Sequence, residues 1–351
     1  MEKKLRVGII GAGVISSYHM NAYQNNPYAQ LKAVCAGHIE SAKRQADAYG
    51  VEKYCTDYLE ILDDPEIDAV SIATPTCTHK QMVLDALARG KHVLCEKPPA
   101  MNVEEVEECC RAAENADTLL MYGFVRRFSD QLQFMKKYVD SGAMGEIYYA
   151  DLLRVERCLP VTGWFVEKEK SGGGNLFDGG IHEIDAALYL MGYPKVKSVK
   201  GFTSHRNGHL PETMQGIGNY NVASAPFKRT VESVASGYIL FENEACIYVK
   251  SSSALLAPEE STSISLSGTK AGAKIGYKDV KLVSLDDSGY FIEGSPVIES
   301  KSVPFQNQIN HFVDCCLNGT ECICKPWQAL EVMKVLCAIY KSAETGNEIK
   351  F

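Results

Sequence analysis

A carboxylate and an imidazole, Asp178 and His182, stand four residues apart in a glycine-bordered stretch of the chain. We predict that this stretch turns from a loop into a helix, so that both side chains share one face of its first turn. The glycines on either side let the backbone approach a ligand closely. Oxidation of a carbinol carbon needs a base for the hydroxyl proton, and histidine titrates near neutral pH. The pair therefore predicts acid/base chemistry, with an N-cap aspartate followed by an ordinary helix histidine as the alternative.

A second charged pair, Glu96 and Lys97, follows a short apolar run and precedes Pro98 and Pro99. We expect the run to be a buried parallel strand, and open α/β sheets bind ligands at the carboxyl ends of such strands. A lysine at that position can orient a substrate hydroxyl and tune the pKa of its neighbours. The alternative is a surface turn with a salt-bridged glutamate and lysine.

The first apolar run leads into Gly11-Ala12-Gly13, followed by Val14, Ile15 and Ser16. Gly11 would allow a tight turn, and Gly13 would let the backbone approach a pyrophosphate at the positive end of a helix. Ser16 occupies the third, helix-packing glycine position of the dinucleotide motif, where a small residue suffices. A tight strand-to-helix turn without a nucleotide is the alternative.

The end of the second predicted strand reads Cys35-Ala36-Gly37-His38 and lacks the acidic residue that usually binds the adenosine ribose. Without that charge a 2′-phosphate is not repelled, and His38, Lys43 or Arg44 could pair with it. The cofactor is therefore NAD or NADP, and the sequence slightly favours NADP.

The chain has 13 cysteines, an odd number, and many of them lie inside apolar patterns. Without an export signal, such cysteines are typical of small buried hydrophobic residues rather than disulfides. Cys322-Ile323-Cys324 lacks the paired CxxC spacing of a zinc site. The sequence therefore predicts no metal.

Composition narrows the class of protein further. The formal net charge of −8 disfavours nucleic acid and anionic membrane surfaces as partners. The first apolar run stops at Gly11, too early for a signal-peptide core or a spanning helix. We expect a cytoplasmic protein with no membrane partner.

The candidate site residues must be positioned by helices and strands. The first third of the chain alternates strand-like and helical patterns. Helices are predicted at about His79 to Arg89 and Val103 to Asn115, the second with Asn102 as N-cap. The predicted strands are Leu5 to Ile10, Leu31 to Cys35, Ala69 to Ala73, His92 to Cys95 and Leu119 to Tyr122. This pattern predicts an α/β protein whose residues 1–124 form a Rossmann dinucleotide-binding domain.

Residues 125–351 are predicted to form an α+β domain for substrate binding and oligomerisation, with a large, mostly antiparallel open sheet. Its strand candidates include Ser236 to Phe241, Ala245 to Ser251 and Thr262 to Ser267. Its helices are predicted near Gln131 to Val139, His182 to Leu190, Phe305 to Leu317 and Trp327 to Ala343. The last helix is free to pack back on the first domain.

The chain resembles the Gfo/Idh/MocA oxidoreductase family, the glucose-fructose oxidoreductase and inositol dehydrogenase group. The motifs that carry the resemblance span nearly the whole chain. They are Gly11-Ala12-Gly13 with His19, Ala73-Thr74-Pro75-Thr76 with His79, Glu96-Lys97-Pro98, Phe124 to Phe128, Gly142 to Tyr148, Gly172 to Asp185, Gly268-Thr269-Lys270, and Ser342 to Gly346.

The resemblance implies an NAD(P)-dependent oxidoreductase that moves a hydride to or from a carbinol carbon of a sugar, cyclitol or related polyol. It implies a site in a cleft between the domains and a homodimer or homotetramer formed through the open sheet. Lys97 would be the catalytic lysine, with Asp178 on the polyol and His182 as the acid/base. Pro98 would follow a cis peptide bond. Cofactor contacts are expected from Gly11, Gly13, Val14, Ile15, Ala36, Gly37, His38, Thr74, Pro75, His79, Glu96 and Lys97.

Two departures from the family pattern limit this transfer. Ala36 replaces the usual ribose-binding acid, and Arg126-Arg127-Phe128 resembles an Arg-Arg-Tyr of inositol dehydrogenases, which makes Arg127 a candidate substrate contact. The segment Val155 to Val166 is expected to shape the pocket, but its residues do not indicate one particular substrate. Two further functions fit the same fold: an NAD-dependent glycosidase that oxidises its sugar transiently, and a non-enzymatic dinucleotide-binding regulator.

Overall fold

The computed structural model describes residues 4–157, 163–206, 229–299 and 303–351. The described residues form two compact units. The first contains 4–128 and 303–330, and the second contains 129–299 and 331–351. Part of the predicted pocket segment, residues 158–162, lies outside the described residues.

The first unit is built on a six-stranded parallel sheet in the order β3-β2-β1-β4-β5-β6. The strands are β1 Leu5–Ile10, β2 Ala29–Cys35, β3 Lys53–Cys55, β4 Ala69–Ile72, β5 His92–Glu96 and β6 Leu120–Gly123. The helices between them are α1 Val14–Gln24, α2 Ile39–Tyr49, α3 Leu59–Leu62, α4 His79–Ala88 and α5 Val103–Glu114. This strand order is that of a Rossmann domain, and the predicted fold is confirmed.

Local chemistry explains where these elements begin and end. All four residues of β4 are buried, as expected for a parallel strand with both faces covered. The side chain of Asn102 accepts a hydrogen bond from the Glu105 backbone N–H, so the predicted N-cap of α5 is present. Helix α2 ends at Gly50, whose φ of 64° is the left-handed conformation of a glycine C-cap.

The second unit contains a nine-stranded sheet in the order β14-β13-β12-β11-β7-β10-β9-β8-β15. Its strands are β7 Ile147–Val155, β8 Val196–Ser204, β9 Val234–Phe241, β10 Cys246–Ser252, β11 Ser261–Gly268, β12 Ala271–Ile275, β13 Val280–Leu285, β14 Phe291–Gly294 and β15 Ile349–Lys350. Its complete helices are α6 Asp130–Asp140, α7 Lys168–Ser171 and α8 Ile181–Met191. Neighbouring strands pair antiparallel apart from β7 and β10, so the predicted mostly antiparallel sheet is confirmed.

One face of this sheet packs against α8, which is buried around most of its circumference. On β7, the side chains of Ala150 and Leu152 are buried, whereas the alternate residues Tyr149 and Asp151 point to the opposite face. Helix α8 thereby has a fixed position on the sheet.

Two helices close the chain, α9 Pro304–Asn318 and α10 Pro326–Thr345. Helix α9 packs on α1 of the first unit, where Gln306 Nε2 donates to the Ala22 carbonyl at 2.9 Å. Asn26 Nδ2 donates to Asn310 Oδ1 at 2.8 Å, and the rings of Tyr18 and Phe305 stack at 4.8 Å. The division between the units falls inside α10, after Leu330. The boundary predicted from the sequence, at residue 124, places residues 303–330 in the second domain.

Within the described ranges, each helix is too short or too polar to cross a lipid bilayer.

Candidate active site

The turn after β1 brings three strand ends of the first unit together. Gly11 has a φ of 122°, and a Cβ at this position would lie 2.2 Å from the Ala73 carbonyl oxygen. Its backbone N–H donates to the Cys35 carbonyl at 2.8 Å. Only glycine fits this conformation and this close approach.

Helix α1 begins directly after Gly13, the second glycine of the motif. Gly13 is the N-cap and contributes no capping side chain, and a Cβ there would meet nothing within 4 Å among the described residues. Val14 is 63% exposed, and Ile15 follows it in the first turn. The buried Ser16 donates its hydroxyl to the Gly13 carbonyl at 2.7 Å. No side chain of the described residues caps the first N–H groups of α1, and the space beside Gly13 is open, as an anion site at a helix N-terminus requires.

The end of β2 presents small and polar groups. Ala36 is buried, and Gly37 and His38 are exposed. A Cβ on Gly37 would likewise meet open space. Of the two cations considered for a 2′-phosphate, Lys43 binds Asp47 at 2.7 Å and Arg44 is exposed.

His79 joins the loops that follow β4 and β5. Its ring nitrogens lie 2.8 Å from the Pro98 carbonyl and 2.9 Å from the Thr74 carbonyl, and the side chain is buried. Burial lowers the pKa of His79, although the two carbonyl groups act in the opposite direction. His79 therefore fixes the backbone just before Pro75 and just after Lys97.

Glu96 lies at the last position of β5 and is 5% exposed. Its Oε1 is 3.0 Å from His19 Nε2, and its Oε2 accepts from the Lys97 backbone N–H at 3.3 Å. Ser71 Oγ links His19 Nδ1, at 3.3 Å, to the Tyr23 hydroxyl, at 2.9 Å. Tyr23 and Ser71 were not predicted from the sequence, although Tyr23 follows His19 by one helical turn of α1.

Lys97 follows Glu96 and is partly exposed at the carboxyl edge of the sheet. The peptide bond between Lys97 and Pro98 is cis, which confirms the geometry implied by the resemblance.

Asp178 and His182 lie in the second unit. Asp178 is in a π-helical turn, Leu176–Gly180, and His182 is in the first turn of α8, which continues from it. Both side chains are partly exposed, and the Asp178 backbone N–H donates to the Gly174 carbonyl at 3.0 Å. The predicted loop-to-helix transition is present, with a wider turn than an α-helix.

Glu232 holds the glycine run before this turn. Its carboxylate accepts from the Gly174 N–H at 2.8 Å and from the Tyr340 hydroxyl at 2.7 Å. A Cβ on Gly174 would lie 2.4 Å from the Glu232 carbonyl oxygen. Burial raises the pKa of Glu232, and these donors oppose the rise. No local signal in the sequence could have identified this residue, because its partner is 58 positions away.

Arg154 on β7 lies under the π-turn and was also missed. A Cβ on Gly179 would lie 2.4 Å from Arg154 Nε. The guanidinium donates to the Tyr277 hydroxyl at 2.6 Å and pairs with Glu156 at 3.1 Å. Burial disfavours the charge of Arg154, but neighbouring carboxylates, Glu183 and Asp178 among them, raise its pKa. The cluster places a fixed positive charge beside the segment that carries Asp178.

Arg127 was considered as a substrate contact, and the structure places it in the core of the first unit. Its side chain is fully buried, it donates to the Ile323 carbonyl, and its Nη1 donates to Gln328 Oε1 at 2.6 Å. Its guanidinium carbon lies 5.1 Å from the centre of the Phe124 ring. These contacts connect the turn after β6 to the segment before α10 and to the first turn of α10.

The predicted site residues therefore fall into three places. The cofactor candidates and Lys97 share one edge of the parallel sheet, Arg127 is enclosed in the first unit, and Asp178 and His182 belong to the second unit.

Comparison with known proteins gives a consistent result. Residues 5–124 match an oxidoreductase family described as an NAD-binding Rossmann fold, and residues 136–351 match that family's C-terminal alpha/beta domain. The D-glucoside 3-dehydrogenase of Escherichia coli (strain K12) is 32% identical over 99% of this chain and 97% of its own. The scyllo-inositol 2-dehydrogenase (NAD(+)) of Bacillus subtilis (strain 168) is 35% identical over 57% of this chain and 58% of its own.

Solved structures agree with the fold. The aldose-aldose oxidoreductase of Caulobacter crescentus, complexed with glycerol, matches with a TM-score of 0.82 at 26% identity, covering 99% of this chain and 100% of that one. A levoglucosan dehydrogenase in complex with NADH matches with a TM-score of 0.85 at 22% identity, over 99% of each chain. These comparisons confirm that the cofactor is a nicotinamide dinucleotide. Family models match both parts of the chain. This chain belongs to the Gfo/Idh/MocA family of oxidoreductases.

Proposed function

We propose that the protein transfers a hydride between a nicotinamide dinucleotide and a secondary carbinol carbon of a sugar, glycoside, cyclitol or related polyol. One observation carries the proposal: Glu96-Lys97-Pro98 ends β5 at the same sheet edge as the glycine turn at the start of α1. The relatives named above act on glucosides and inositols, which supports the substrate class.

The residues of the first unit fit a dinucleotide. The open space at Gly13 and the uncapped N–H groups of α1 suit a pyrophosphate, and Gly11 keeps the turn close to β4. When bound, the nicotinamide supplies the hydride acceptor or donor. The resemblance assigns Glu96 to the nicotinamide ribose and Thr74, Pro75 and His79 to the length of the cofactor. The contacts of His79 support positioning of that loop.

We assign the proton chemistry to three side chains. His182 accepts the hydroxyl proton during oxidation and returns it during reduction. Asp178 binds the polyol in register, and Lys97 orients the reacting hydroxyl and stabilises negative charge on its oxygen. Arg127 takes no part in substrate binding in this proposal, because its guanidinium is enclosed by protein groups.

Two substitutions test these roles. Lys97→Ala and His182→Ala should each lower kcat/KM by about a hundredfold or more, the usual scale for acid/base groups, while cofactor affinity and melting temperature stay close to wild type. Lys80→Ala removes a surface pair with Glu108, and His205→Ala removes an exposed imidazole, so these are the matched controls.

The double variant adds a sharper readout. Groups that act on one substrate are non-additive, so its loss should fall well short of the product of the two single losses. Full activity in both single variants, on a panel of inositols, aldoses and glucosides, would remove the two residues from the mechanism.

The choice between NAD and NADP belongs to the end of β2. The missing carboxylate at Ala36 and the exposed His38 favour acceptance of a 2′-phosphate, so we propose a modest preference for NADP. Titration with NADPH and NADH, followed by protein fluorescence, measures the ratio of dissociation constants. A clear preference for NADH would reverse the assignment.

We further propose a homodimer or homotetramer through the open face of the nine-stranded sheet. Phe202, Tyr238 and Tyr149 alternate onto that face and are 57%, 45% and 37% exposed. Such a cluster of exposed aromatic groups is typical of an interface. Light scattering should give at least two chains per particle, and Tyr238→Lys should reduce that number.

The two alternative functions are not favoured, since several of the relatives are named dehydrogenases of glucosides, inositols and levoglucosan. A glycosidase would release sugar from a glycoside without net change in NAD(P)H absorbance at about 340 nm, and a regulator would turn over no substrate of the panel. We propose a cytoplasmic location, in keeping with the many cysteines that lie inside apolar patterns of the sequence.

A further inference from the structure

One imidazole and two thiols lie close together on α9 and the segment that follows it. None of the three belongs to a residue assigned a role above. They are His311 and Cys315 on α9 and Cys322 in the segment that follows it. One ligand atom from each lies within 4.8 Å of the other two, and both cysteines are buried. No metal was predicted from the sequence, because the spacing of Cys322 and Cys324 does not match a paired CxxC zinc site.

We propose that His311 Nε2, Cys315 Sγ and Cys322 Sγ form a binding site for one Zn²⁺ ion. Thiolates and imidazoles are ligands that zinc prefers, whereas magnesium and calcium prefer oxygen ligands. Three protein ligands leave a fourth position of the tetrahedron for water or another nearby donor.

The spacing of the atoms agrees with such a site. His311 and Cys315 are four residues apart on one helix, so their side chains share a face. Their ligand atoms are 3.4 Å apart. Zinc bonds of about 2.3 Å to sulfur and about 2.0 Å to nitrogen place two tetrahedral ligands about 3.5 Å apart. The helix thus presents two ligands at nearly the required separation.

The third ligand is brought in by a short, anchored loop. Gly319 ends α9 with a φ of 70°, and Asp314 accepts from Asn318 Nδ2 at 2.6 Å and from the Thr320 hydroxyl. Further along, the carbonyl of Ile323 accepts from Arg127. The loop that carries Cys322 is therefore held at both ends without any metal.

Backbone groups around the cluster suit an anionic sulfur and an unprotonated nitrogen. The Cys324 N–H donates to Cys322 Sγ at 3.4 Å, and the Ile323 N–H donates to His311 Nε2 at 3.2 Å. The second contact shows that Nε2 carries a lone pair, which accepts from the Ile323 N–H in this structure. Metal binding would replace the Ile323 N–H on that nitrogen, a local change of one hydrogen bond.

Metal content tests the proposal without reference to enzymatic activity. The reduced, full-length protein is loaded with Zn²⁺, passed over a desalting column and titrated with a colorimetric zinc chelator. Wild type should retain about one equivalent of zinc per chain, because thiolate and imidazole ligands bind zinc tightly near neutral pH. Cys315→Ser and Cys322→Ser should each lower retention at least tenfold. Cys55→Ser, a buried thiol on β3, should retain the ion.

Cobalt gives an independent readout of the ligands. Co²⁺ in the wild-type site should show the visible absorption of a tetrahedral sulfur-ligated ion, which Cys322→Ser should lose. Retention below a tenth of an equivalent by wild type would overturn the proposal. So would zinc that stays bound in both cysteine variants, or a Cys315–Cys322 disulfide that persists in reducing buffer.

Discussion

Single residues at the carboxyl edge of the parallel sheet have distinct physical roles, although the sequence presents them as one motif. Gly11 is required by the protein itself, because a Cβ would overlap the Ala73 carbonyl. Gly13 has open space around it, so no atom of the described residues demands a glycine there. We therefore propose that glycine at position 13 allows the close approach of a ligand.

This difference gives a paired prediction. Gly11→Ala should lower the free energy of unfolding by about 2 kcal/mol or more, through its positive φ and its overlap with Ala73. Gly13→Ala should leave the stability within about 0.5 kcal/mol of wild type but weaken NAD(P)H affinity at least tenfold. Urea unfolding and fluorescence titration provide the two measurements. Equal affinity in wild type and Gly13→Ala would place the pyrophosphate elsewhere.

His79 gives a prediction of pH dependence. Its pKa is lowered below the ordinary 6.5 of histidine by burial, so the unfolded chain takes up a proton before the folded protein does. The stability from this group is complete above about pH 6.5 and is lost as the pH falls below that value. His79→Gln removes the titration.

Between pH 7.5 and pH 5.5, wild type should therefore lose more stability than His79→Gln does. Urea unfolding at both pH values measures the difference. Identical losses would mean that the proton uptake of His79 is not linked to folding.

At the scale of elements, the π-turn of Leu176–Gly180 depends on a distant clamp. Glu232 accepts hydrogen bonds from the Gly174 N–H and from Tyr340, on α10, and also contacts the Leu176 N–H at 3.4 Å. The clamp fixes the start of the segment that carries Asp178. Loss of the clamp should therefore affect substrate binding as well as stability.

Glu232→Gln replaces an anion that accepts from several donors by an amide with one acceptor oxygen. It should lower the free energy of unfolding by about 1–3 kcal/mol and raise KM for the polyol with cofactor affinity unchanged. Tyr340→Phe removes only one donor and should have about half that effect on stability. Thermal unfolding and steady-state kinetics together check the prediction, and an unchanged KM in Glu232→Gln would separate the clamp from the site.

Elements of local origin could be predicted from the sequence, and contacts between distant segments could not. The buried run of β4, the glycine turn after β1 and the N-cap at Asn102 are encoded within a few residues. Glu232 and Arg154 were missed because their partners lie far away along the chain. Helical periodicity identified α9, but periodicity does not say which surface an apolar face will cover.

At the scale of the molecule, the first unit is completed by residues from the end of the chain. Ile309 and Phe312 of α9 are fully buried, and Asn307 Nδ2 donates to the Phe128 carbonyl at 3.1 Å. A Rossmann unit cut at residue 128 would expose the surface of α1 that α9 covers.

A fragment of residues 1–128 should therefore lack a cooperative thermal transition, whereas 1–128 joined to 303–330 by a flexible linker should unfold cooperatively. The contact of Asn307 with Phe128 keeps the required linker to about 10–15 residues. Circular dichroism melts compare the two fragments. A cooperative melt of the short fragment at the same temperature would show that α9 contributes little.

The position of β7 in the nine-stranded sheet has a consequence for biosynthesis. Ala150 on this strand pairs with Ile247 and Leu266, so the first strand made is also a central one. While the ribosome synthesises the intervening hundred or so residues, both long edges of β7 lack their native neighbours. We expect the nascent chain to be most prone to capture by chaperones in this interval, and most of that exposure to end once β11 has left the exit tunnel.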